Sequence, residues 1–242
     1  MGKFISNFNT TAELEAFMQT AEFKTPHVSL TKDSGEVHYF EPHDYSQDYF
    51  TMVVTSGGLI TWFPSIETNE LYCSANGGDW FLFPSMQSVE VAAGNKFLFK
   101  GETTPQSNKG IGKFSGAAGV SFYVEGNVMS LLYGDNFKGQ TSLEGKDYAL
   151  YGLFSGSINV TSAKNLSLPA TTLASNCYQY MFYGCRRLNS ITCLATDISA
   201  SNCTRYWVQN VASSGTFTKA ASMSSWTKSA NGIPSGWTVQ DA

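Results

Sequence analysis

Four of the chain's five cysteines fall close together, at spacings of eight, eight and ten residues. They are Cys177, Cys185, Cys193 and Cys203. Clustered thiolates can bind zinc, form disulfides or act as nucleophiles. Structural zinc sites usually place two cysteines about two to four residues apart, and no pair here has that spacing. All three histidines precede residue 45, so a Cys–His site would need a distant segment to fold onto the cysteines. We therefore predict no catalytic residue, no metal and no cofactor.

Acidic residues suggest a second chemistry. Glu125, Asp135, Glu144 and Asp147 surround the loop-like segment Y-G-D-N-F-K-G-Q. A glycoside hydrolase needs two carboxyl groups about 5–10 Å apart, one on each side of the bond that it cleaves. Asp and Asn are also ordinary turn residues, which explains this segment without catalysis. A carbohydrate-active hydrolase that uses Asp135 and its acidic neighbours remains an alternative to a protein without enzymatic activity.

Aromatic residues offer a third chemistry, the stacking of a ligand on exposed rings. Tyr178, Tyr180, Tyr183 and Trp207 lie in or near the cysteine-rich segment. Tyr178 and Tyr183 are out of phase with the cysteines, so we expect at least some of these rings to be exposed. The competing explanation is ordinary packing at the rim of the core. These four residues are our predicted ligand-binding set.

The segment that carries these residues is repeated. L-P-A-T-T-L-A-S-N-C at 168–177 corresponds to L-A-T-D-I-S-A-S-N-C at 194–203, so that A-S-N-C at 174–177 recurs at 200–203. Just upstream, the segment 163–168 matches the segment 188–193 position by position. Both match the L-x-x-L-x-L strand signature of leucine-rich repeats, whose period is about 20–29 residues. The sequence therefore predicts stacked copies of one structural unit.

Weaker copies flank these two. L-F-S-G at 153–156 is an earlier counterpart of M-F-Y-G at 181–184, and Y-W-V at 206–208 begins a later copy. Phe217 then follows Ile191 at the interval that separates the two A-S-N-C motifs. The later copy lacks the Gly-Cys step. We interpret it as a C-terminal cap, because the last unit of an open stack must cover its core.

The repeat gives the cysteines a structural role. Leu173, Cys177, Met181 and Cys185 recur at every fourth position, which predicts one inward-facing stripe on a short helix or helical turn. Cys193 occupies the strand position that leucine fills in the preceding copy, as expected of a packing residue. We expect Cys177 and Cys185 to be reduced and mostly buried. The predicted core is the set Cys177, Met181, Phe182, Cys185, Leu188, Ile191, Cys193 and Cys203.

Composition and charge narrow the classes of function. Charged residues make up only 14% of the chain, the net charge is -4, and no basic cluster stands out beyond Arg186 and Arg187. Nucleic-acid binding needs concentrated positive charge, so we expect no nucleic-acid partner. No apolar run approaches the ~20 residues of a membrane span, and the N-terminal segment lacks the apolar core of a secretion signal. We expect no membrane insertion.

The elements that position these residues are predicted to be mainly β. Residues 1–45 form a small N-terminal adapter, in which a capping box at Thr10 starts a short helix and a hairpin follows around K-D-S-G. Residues 46–125 contain short strands separated by glycine- and asparagine-rich turns, which predicts an immunoglobulin-like β-sandwich. Residues 126–242 are predicted to form a short leucine-rich-repeat solenoid with a C-terminal cap.

One motif carries a family resemblance. M-F-x-G-C-x-x-L-x-x-I at 181–191 resembles the BspA-type leucine-rich repeat of surface and adhesion proteins from anaerobic bacteria. The wider layout resembles proteins of gut bacteria, their prophages and tailed phages. That likeness rests on F-N-T-T-A-E-L-E-A-F near the N-terminus, S-A-N-G-G-D-W in the predicted sandwich and N-G-I-P-S-G-W-T-V near the C-terminus. The resemblance implies binding or adhesion, without known catalytic residues.

The sequence thus favours a non-enzymatic binding or structural protein, either a component of a phage tail that binds the host receptor or a bacterial surface adhesin. We expect the adapter to attach the chain to a larger assembly and the repeat region to contact a cell-surface glycan or protein. Its location would be the virion tail or the bacterial cell surface. A homo-oligomer is compatible with this interpretation and would convert weak contacts into avidity.

Overall fold

The structure, a computed structural model, describes residues 28–31, 37–40, 43–106 and 108–242. The chain divides into two compact units, residues 1–44 and residues 45–242. In the first unit, β1 (Val28–Thr31) pairs antiparallel with β2 (Val37–Phe40), which confirms the predicted hairpin. The helix predicted to start at Thr10 lies outside the described residues.

The second unit is mainly β. Among its described residues, helical structure is limited to two single 3-10 turns, Tyr45–Gln47 and Gly134–Asn136, and one turn of α-helix, Ser130–Tyr133. Its strands are β3 (Phe50–Ser56), β4 (Gly58–Pro64), β5 (Tyr72–Ala75), β6 (Trp80–Leu82), β7 (Ser88–Val91), β8 (Lys96–Lys100), β9 (Gly112–Gly116), β10 (Ser121–Asn127), β11 (Asn165–Ser167), β12 (Ser190–Cys193), β13 (Gly215–Lys219) and β14 (Trp237–Asp241).

Residues 45–127, which we call the two-layer region, contribute strands to two sheets. One sheet has the order β11-β10-β3-β8-β5-β6, and the other has the order β7-β4-β9. The chain crosses between them at Gly57, where an added Cβ would lie 2.7 Å from the Val91 carbonyl oxygen. The sheets share one core, because the Phe50 ring of β3 lies 5.9 Å from the Phe114 ring of β9.

A single sheet continues past the predicted boundary between residues 125 and 126, which falls inside β10. This strand pairs antiparallel with β3 on one side and parallel with β11 on the other. Gly126, at φ 78°, allows a close backbone approach: an added Cβ would lie 2.0 Å from the Tyr49 carbonyl oxygen. Just beyond the strand, the buried Ser130 hydroxyl accepts a hydrogen bond from the Phe50 N–H and donates one to the Phe99 carbonyl. Residues 45–242 therefore share a continuous core.

Residues 128–242, which we call the stacked region, repeat a strand followed by a run of turns. β12, β13 and β14 form a parallel sheet in which Ile191 pairs with Phe217 and Phe217 pairs with Val239. The first of these pairs confirms the repeat interval read from the sequence. The inward positions Leu166, Leu168 and Cys193 of the strand signature are fully buried or nearly so.

The cysteine stripe was predicted on a short helix or helical turn. The short helix is wrong, and the stripe lies on a run of overlapping turns. In the segment 174–185, each odd-numbered N–H from 177 onward donates to the carbonyl three positions earlier. From 176 onward, each even-numbered N–H donates instead to a carbonyl of the segment 200–210, in the next copy of the repeat. Asn176, Tyr180 and Gly184 have φ values of 58°, 57° and 73°, which a right-handed helix cannot contain.

Three such turn segments stack on one another, at residues 147–156, 174–185 and 200–210. Even-numbered N–H groups of the first donate to carbonyls of the second in the same alternating pattern. Two of every four side chains face the core, so the fourfold period of the cysteine stripe is real but comes from turns. All eight predicted core residues are buried.

A column of aromatic rings joins the two regions through their common core. Phe154 in the first turn segment stacks on Phe114 of β9 at 6.1 Å and on Phe182 at 5.6 Å. Phe182 in turn lies 6.3 Å from Trp207, which stacks on Trp226 at 5.6 Å. Each turn segment contributes one ring, so the column ties every layer of the stack to its neighbours.

Candidate functional site

The structure separates the four predicted ligand-binding residues into two pairs. Tyr178 and Trp207 are fully buried, so their predicted role in direct ligand contact is wrong. They face the core of successive turn segments and stack on each other at 6.1 Å. The Trp207 indole N–H donates to the Gly232 carbonyl at 2.8 Å. Tyr180 and Tyr183 lie on the outer side of the turns and are partly exposed.

Tyr180 and Tyr183 belong to a larger outer surface, to which Tyr148, Tyr151 and Tyr206 also contribute. We call these five residues the tyrosine surface. Tyr180 is at its centre: its ring lies 5.6 Å from Tyr151, 5.6 Å from Tyr183 and 5.8 Å from Tyr206. Tyr148 extends the row through Tyr151 at 5.7 Å. All five rings are partly exposed, so they form one contiguous aromatic face.

Three of these tyrosines sit in a backbone conformation that disfavours them. Tyr148, Tyr180 and Tyr206 have φ values of 61°, 57° and 53°. The left-handed region costs an L-residue other than glycine about 1–2 kcal/mol, and asparagine tolerates it better than tyrosine does. The other left-handed positions of the three turn segments hold only glycine or asparagine: Gly152, Gly156, Asn176, Gly184, Asn202 and Asn210.

Each turn segment therefore places one tyrosine where glycine or asparagine would fit with less strain. Core packing does not require these rings, because they lie on the outer side of the turns. Tyr180 and Tyr206 occupy equivalent positions of successive segments, whereas Tyr148 occupies the position equivalent to Asn176. Backbone strain that is kept in every segment points to a role beyond folding. Left-handed residues recur at every fourth position of each segment, and Asn or Gly at six of the nine such positions was a usable sequence signal. Tyrosine at the other three positions concealed it.

Polar groups border the tyrosine surface. Arg205 lies with its guanidinium 5.1 Å from the Tyr206 ring centre, in a cation–π arrangement. At the opposite end, the Tyr148 hydroxyl donates to Asn108 Oδ1 at 2.8 Å. The neighbouring Tyr151 hydroxyl has a raised pKa, chiefly because of partial burial and secondarily because of Tyr180 and Tyr148. The phenol is therefore neutral and able to donate a hydrogen bond at neutral pH.

A cleft adjoins this surface on the side of the two-layer region. It has a volume of about 260 Å³ and is open to solvent. Tyr151 and Tyr180 of the tyrosine surface line it together with Lys109 and Lys113. The remaining lining residues are Phe63, Pro64, Ser65, Gly112, Gly152 and Ser155.

The cysteines provide packing rather than a reactive site. All five are free and buried. Burial raises the pKa of the Cys185 and Cys193 thiols to about 12 and that of Cys177 above its usual range, so these groups are neutral thiols near pH 7. The Cys185 thiol donates to the Phe154 carbonyl at 3.1 Å. Among the residues that the structure describes, no three His, Cys, Asp or Glu side chains are grouped to hold a metal.

The four acidic residues of the hydrolase alternative have separate surroundings. Asp135 accepts hydrogen bonds from Lys100 Nζ at 2.8 and 2.9 Å and from the Tyr49 hydroxyl at 2.7 Å. The Lys100 bond, followed by the Tyr49 bond, lowers the Asp135 pKa, which keeps this carboxyl ionised rather than poised as a general acid. Glu125 lies 3.5 Å from a lysine of β8, Asp147 accepts the Ser175 N–H at 3.1 Å, and Glu144 is exposed.

Comparison with known proteins gives no match from which a function of the site could be inferred. No family model, curated protein or solved structure matches the chain. In the described part of the chain, no helix combines the length and hydrophobicity needed to cross a membrane.

Proposed function

We propose that this chain is a non-enzymatic binding protein whose tyrosine surface contacts a cell-surface glycan. One observation carries the proposal: Tyr148, Tyr180 and Tyr206 recur at left-handed positions on the outer side of successive turns. Tyrosine supplies a large, rigid contact area together with a hydroxyl, and it is common at binding hot spots. The faces of the rings can stack on the apolar faces of sugars, while the hydroxyls bond to sugar oxygens.

The proposal extends to the architecture. The parallel strands and stacked turns support a short BspA-like leucine-rich-repeat solenoid, and the two facing sheets support an immunoglobulin-like sandwich that serves as a spacer. The N-terminal adapter would attach the chain to a larger assembly. We assign the protein to a phage tail, as a receptor-binding component, with a bacterial surface adhesin as the alternative location. A protein receptor is the second class of ligand that the same aromatic face would suit.

Binding to cells tests the proposal. Purified protein is applied to cells of the bacterial host with and without their surface polysaccharide, and bound protein is measured by fluorescence. We expect binding that depends on the polysaccharide and falls at least tenfold in Tyr180→Asn. Asparagine relieves the left-handed strain, and this gain offsets the lost ring contacts, so the free energy of unfolding should stay within about 1 kcal/mol of the parent's.

A matched control is Tyr72→Thr, which removes a tyrosine that is 44% exposed on a β-strand outside the tyrosine surface. This variant should bind like the parent. Equal binding to cells with and without polysaccharide would show that the receptor is not this glycan. Equal binding by Tyr180→Asn and the parent would show that the tyrosine surface does not contact the receptor.

A further inference from the structure

We infer that the cleft beside the tyrosine surface binds the anionic group of an acidic sugar, which makes the preferred ligand a charged rather than a neutral glycan. The inference rests on the proposed function and specifies its ligand. The carboxylate of a sugar acid and the phosphate of a phosphorylated polysaccharide share the chemistry that this cleft would recognise.

The charge of the lining is the first argument. The cleft is lined by two lysines, Lys109 and Lys113, and by no acidic residue, although the chain as a whole carries a net charge of -4. A cationic concavity on an acidic protein concentrates anions locally. An anionic ligand would therefore be drawn to this cleft in preference to the surrounding surface.

The availability of the two lysines is the second argument. Three lysines of the described chain, Lys96, Lys100 and Lys219, each pair with a carboxylate of the protein, whereas others, such as Lys164, do not. Within the same described residues, Lys109 and Lys113 have no such pair. Both side chains are exposed, so their ammonium groups are accessible as hydrogen-bond donors to a ligand.

The fixed position of the lysines on the backbone is the third argument. Lys113 lies on β9 opposite Phe63 of β4, between the buried residues Gly112 and Phe114, and the alternation of the strand turns it outward. The Lys109 carbonyl accepts the Ser65 hydroxyl at 2.7 Å, which ties its turn to the same part of the sheet.

The two tyrosines of the lining suit a sugar ring. Tyr151 and Tyr180 meet edge to face at an interplanar angle of 88°, so they present one ring face and one ring edge. The hydroxyl of Ser155, another lining residue, has no hydrogen-bond partner among the described residues. The volume of about 260 Å³ lies just below the ~300–1,000 Å³ typical of pockets that enclose drug-sized ligands. It therefore suits one sugar unit, with the rest of a chain lying across the tyrosine surface.

Removal of the two charges tests the inference. The full chain and the double variant Lys109→Gln/Lys113→Gln are titrated by calorimetry with three probes of matched length: a neutral oligosaccharide, an oligogalacturonate and a glycerol-phosphate teichoic acid. We expect the parent to bind at least one anionic probe tenfold or more tightly than the neutral one, with a preference that weakens as salt is added. The double variant should lose this preference and keep any binding of the neutral probe.

Two further variants make the result specific to the cleft. Lys164→Gln removes an exposed lysine outside the lining and should leave the preference intact. Gly152→Asn keeps a residue that tolerates φ 65° and adds a side chain where only Ser155 lies within 4 Å of the new Cβ, so it should block the cleft and weaken anionic binding. The tighter of the two anionic probes identifies carboxylate or phosphate as the natural group.

The inference is overturned if the parent binds neutral and anionic probes equally, if it binds none of them, or if the double variant keeps the anionic preference. Failure of the proposed function looks different. In that case Tyr180→Asn leaves binding to cells unchanged, whatever the lysine variants do. Loss of cell binding in Tyr180→Asn together with an unaffected double variant would reject the acidic-sugar cleft alone.

Discussion

The two-layer region leaves single rings such as Tyr72 and Phe81 exposed on regular strands, whereas the stacked region sets its outer tyrosines in a row along successive turns. Phe50, Trp62 and Phe114 fill the space between the two sheets and are almost completely buried. In the stacked region, Phe154 and Phe182 continue that buried column while the tyrosine surface remains partly exposed. The hydrophobic effect accounts for the burial of the core rings in both regions. It does not account for the outer tyrosines, three of which occupy strained backbone positions.

The largest expected effect tests whether the two regions are one folding unit. Phe154→Ala removes the ring that contacts both Phe114 and Phe182, and loss of a buried phenylalanine costs about 3–5 kcal/mol. Because the core is continuous, we expect one cooperative urea transition that shifts as a whole, followed by both fluorescence and circular dichroism.

The control for this experiment is Ile158→Ala in the same stretch of chain, whose side chain is 50% exposed. It should change the free energy of unfolding by about 0.5 kcal/mol or less. Two separate transitions, of which only one shifts in Phe154→Ala, would show that the two regions fold independently. That result would contradict a single folding unit with a continuous core.

A smaller effect is expected at Tyr178, which the sequence favoured as an exposed ligand contact. Its hydroxyl is buried and has no hydrogen-bond partner among the described residues. An unpaired buried polar group costs about 1–3 kcal/mol. Tyr178→Phe should therefore stabilise the fold by about 1 kcal/mol in a urea titration and leave cell binding unchanged. A loss of stability, or of binding, would indicate that the hydroxyl has a partner or a ligand.

The smallest effect concerns the junction between the regions, where Asp135 bonds to Lys100 and Tyr49. The folded-state pKa of Asp135 is lowered, so its contribution to stability is present above the ordinary carboxyl pKa of about 3.9 and is lost as the pH falls through the lowered value. The Asp135 side chain is 63% exposed, and exposed ion pairs contribute about 1 kcal/mol or less.

We therefore expect Asp135→Asn to be slightly less stable than the parent at pH 7 and equal to it near pH 2, in urea titrations at both pH values. Asp79→Asn, at an exposed position without an ion pair in the described chain, is the control and should match the parent throughout. A difference that persists at pH 2 would mean that the carboxyl group acts through packing and not through charge.

Turn residues predicted the ends of the strands, and the spacing of apolar residues predicted the repeat. Glycine at 57–58 and the Asn-Gly pair at 76–77 mark real strand ends, because these positions need close approach or positive φ. The pairing of Ile191 with Phe217 follows from a period that places apolar residues in register. Local signals of this kind are readable because one or two residues determine each of them.

The turns and the tyrosine surface were less predictable. An apolar residue at every fourth position fits both a helix and a run of overlapping turns, and only the backbone conformation at Asn176 and Gly184 separates them. The tyrosine surface depends on how the turn segments are aligned with one another. The number of residues between equivalent positions is larger from the first segment to the second than from the second to the third. Tyr148 also occupies the first left-handed position of its segment and Tyr180 the second, so the two do not align in the sequence, although Tyr151 joins both into one row of rings.

The last layer of the stack shows how such a protein can lengthen. The N–H of Tyr206 is bound by the Asn231 side chain at 2.7 Å, and the N–H of Val208 by the Ala230 carbonyl at 3.3 Å. These two acceptors stand where a fourth turn segment would offer its own carbonyls. Duplication of one repeat ahead of this ending would present the same hydrogen-bonding edge to the same closing residues. The length of the stack and the number of outer tyrosines would then depend on the number of repeats. Recombination can change that number while both ends of the stack stay the same.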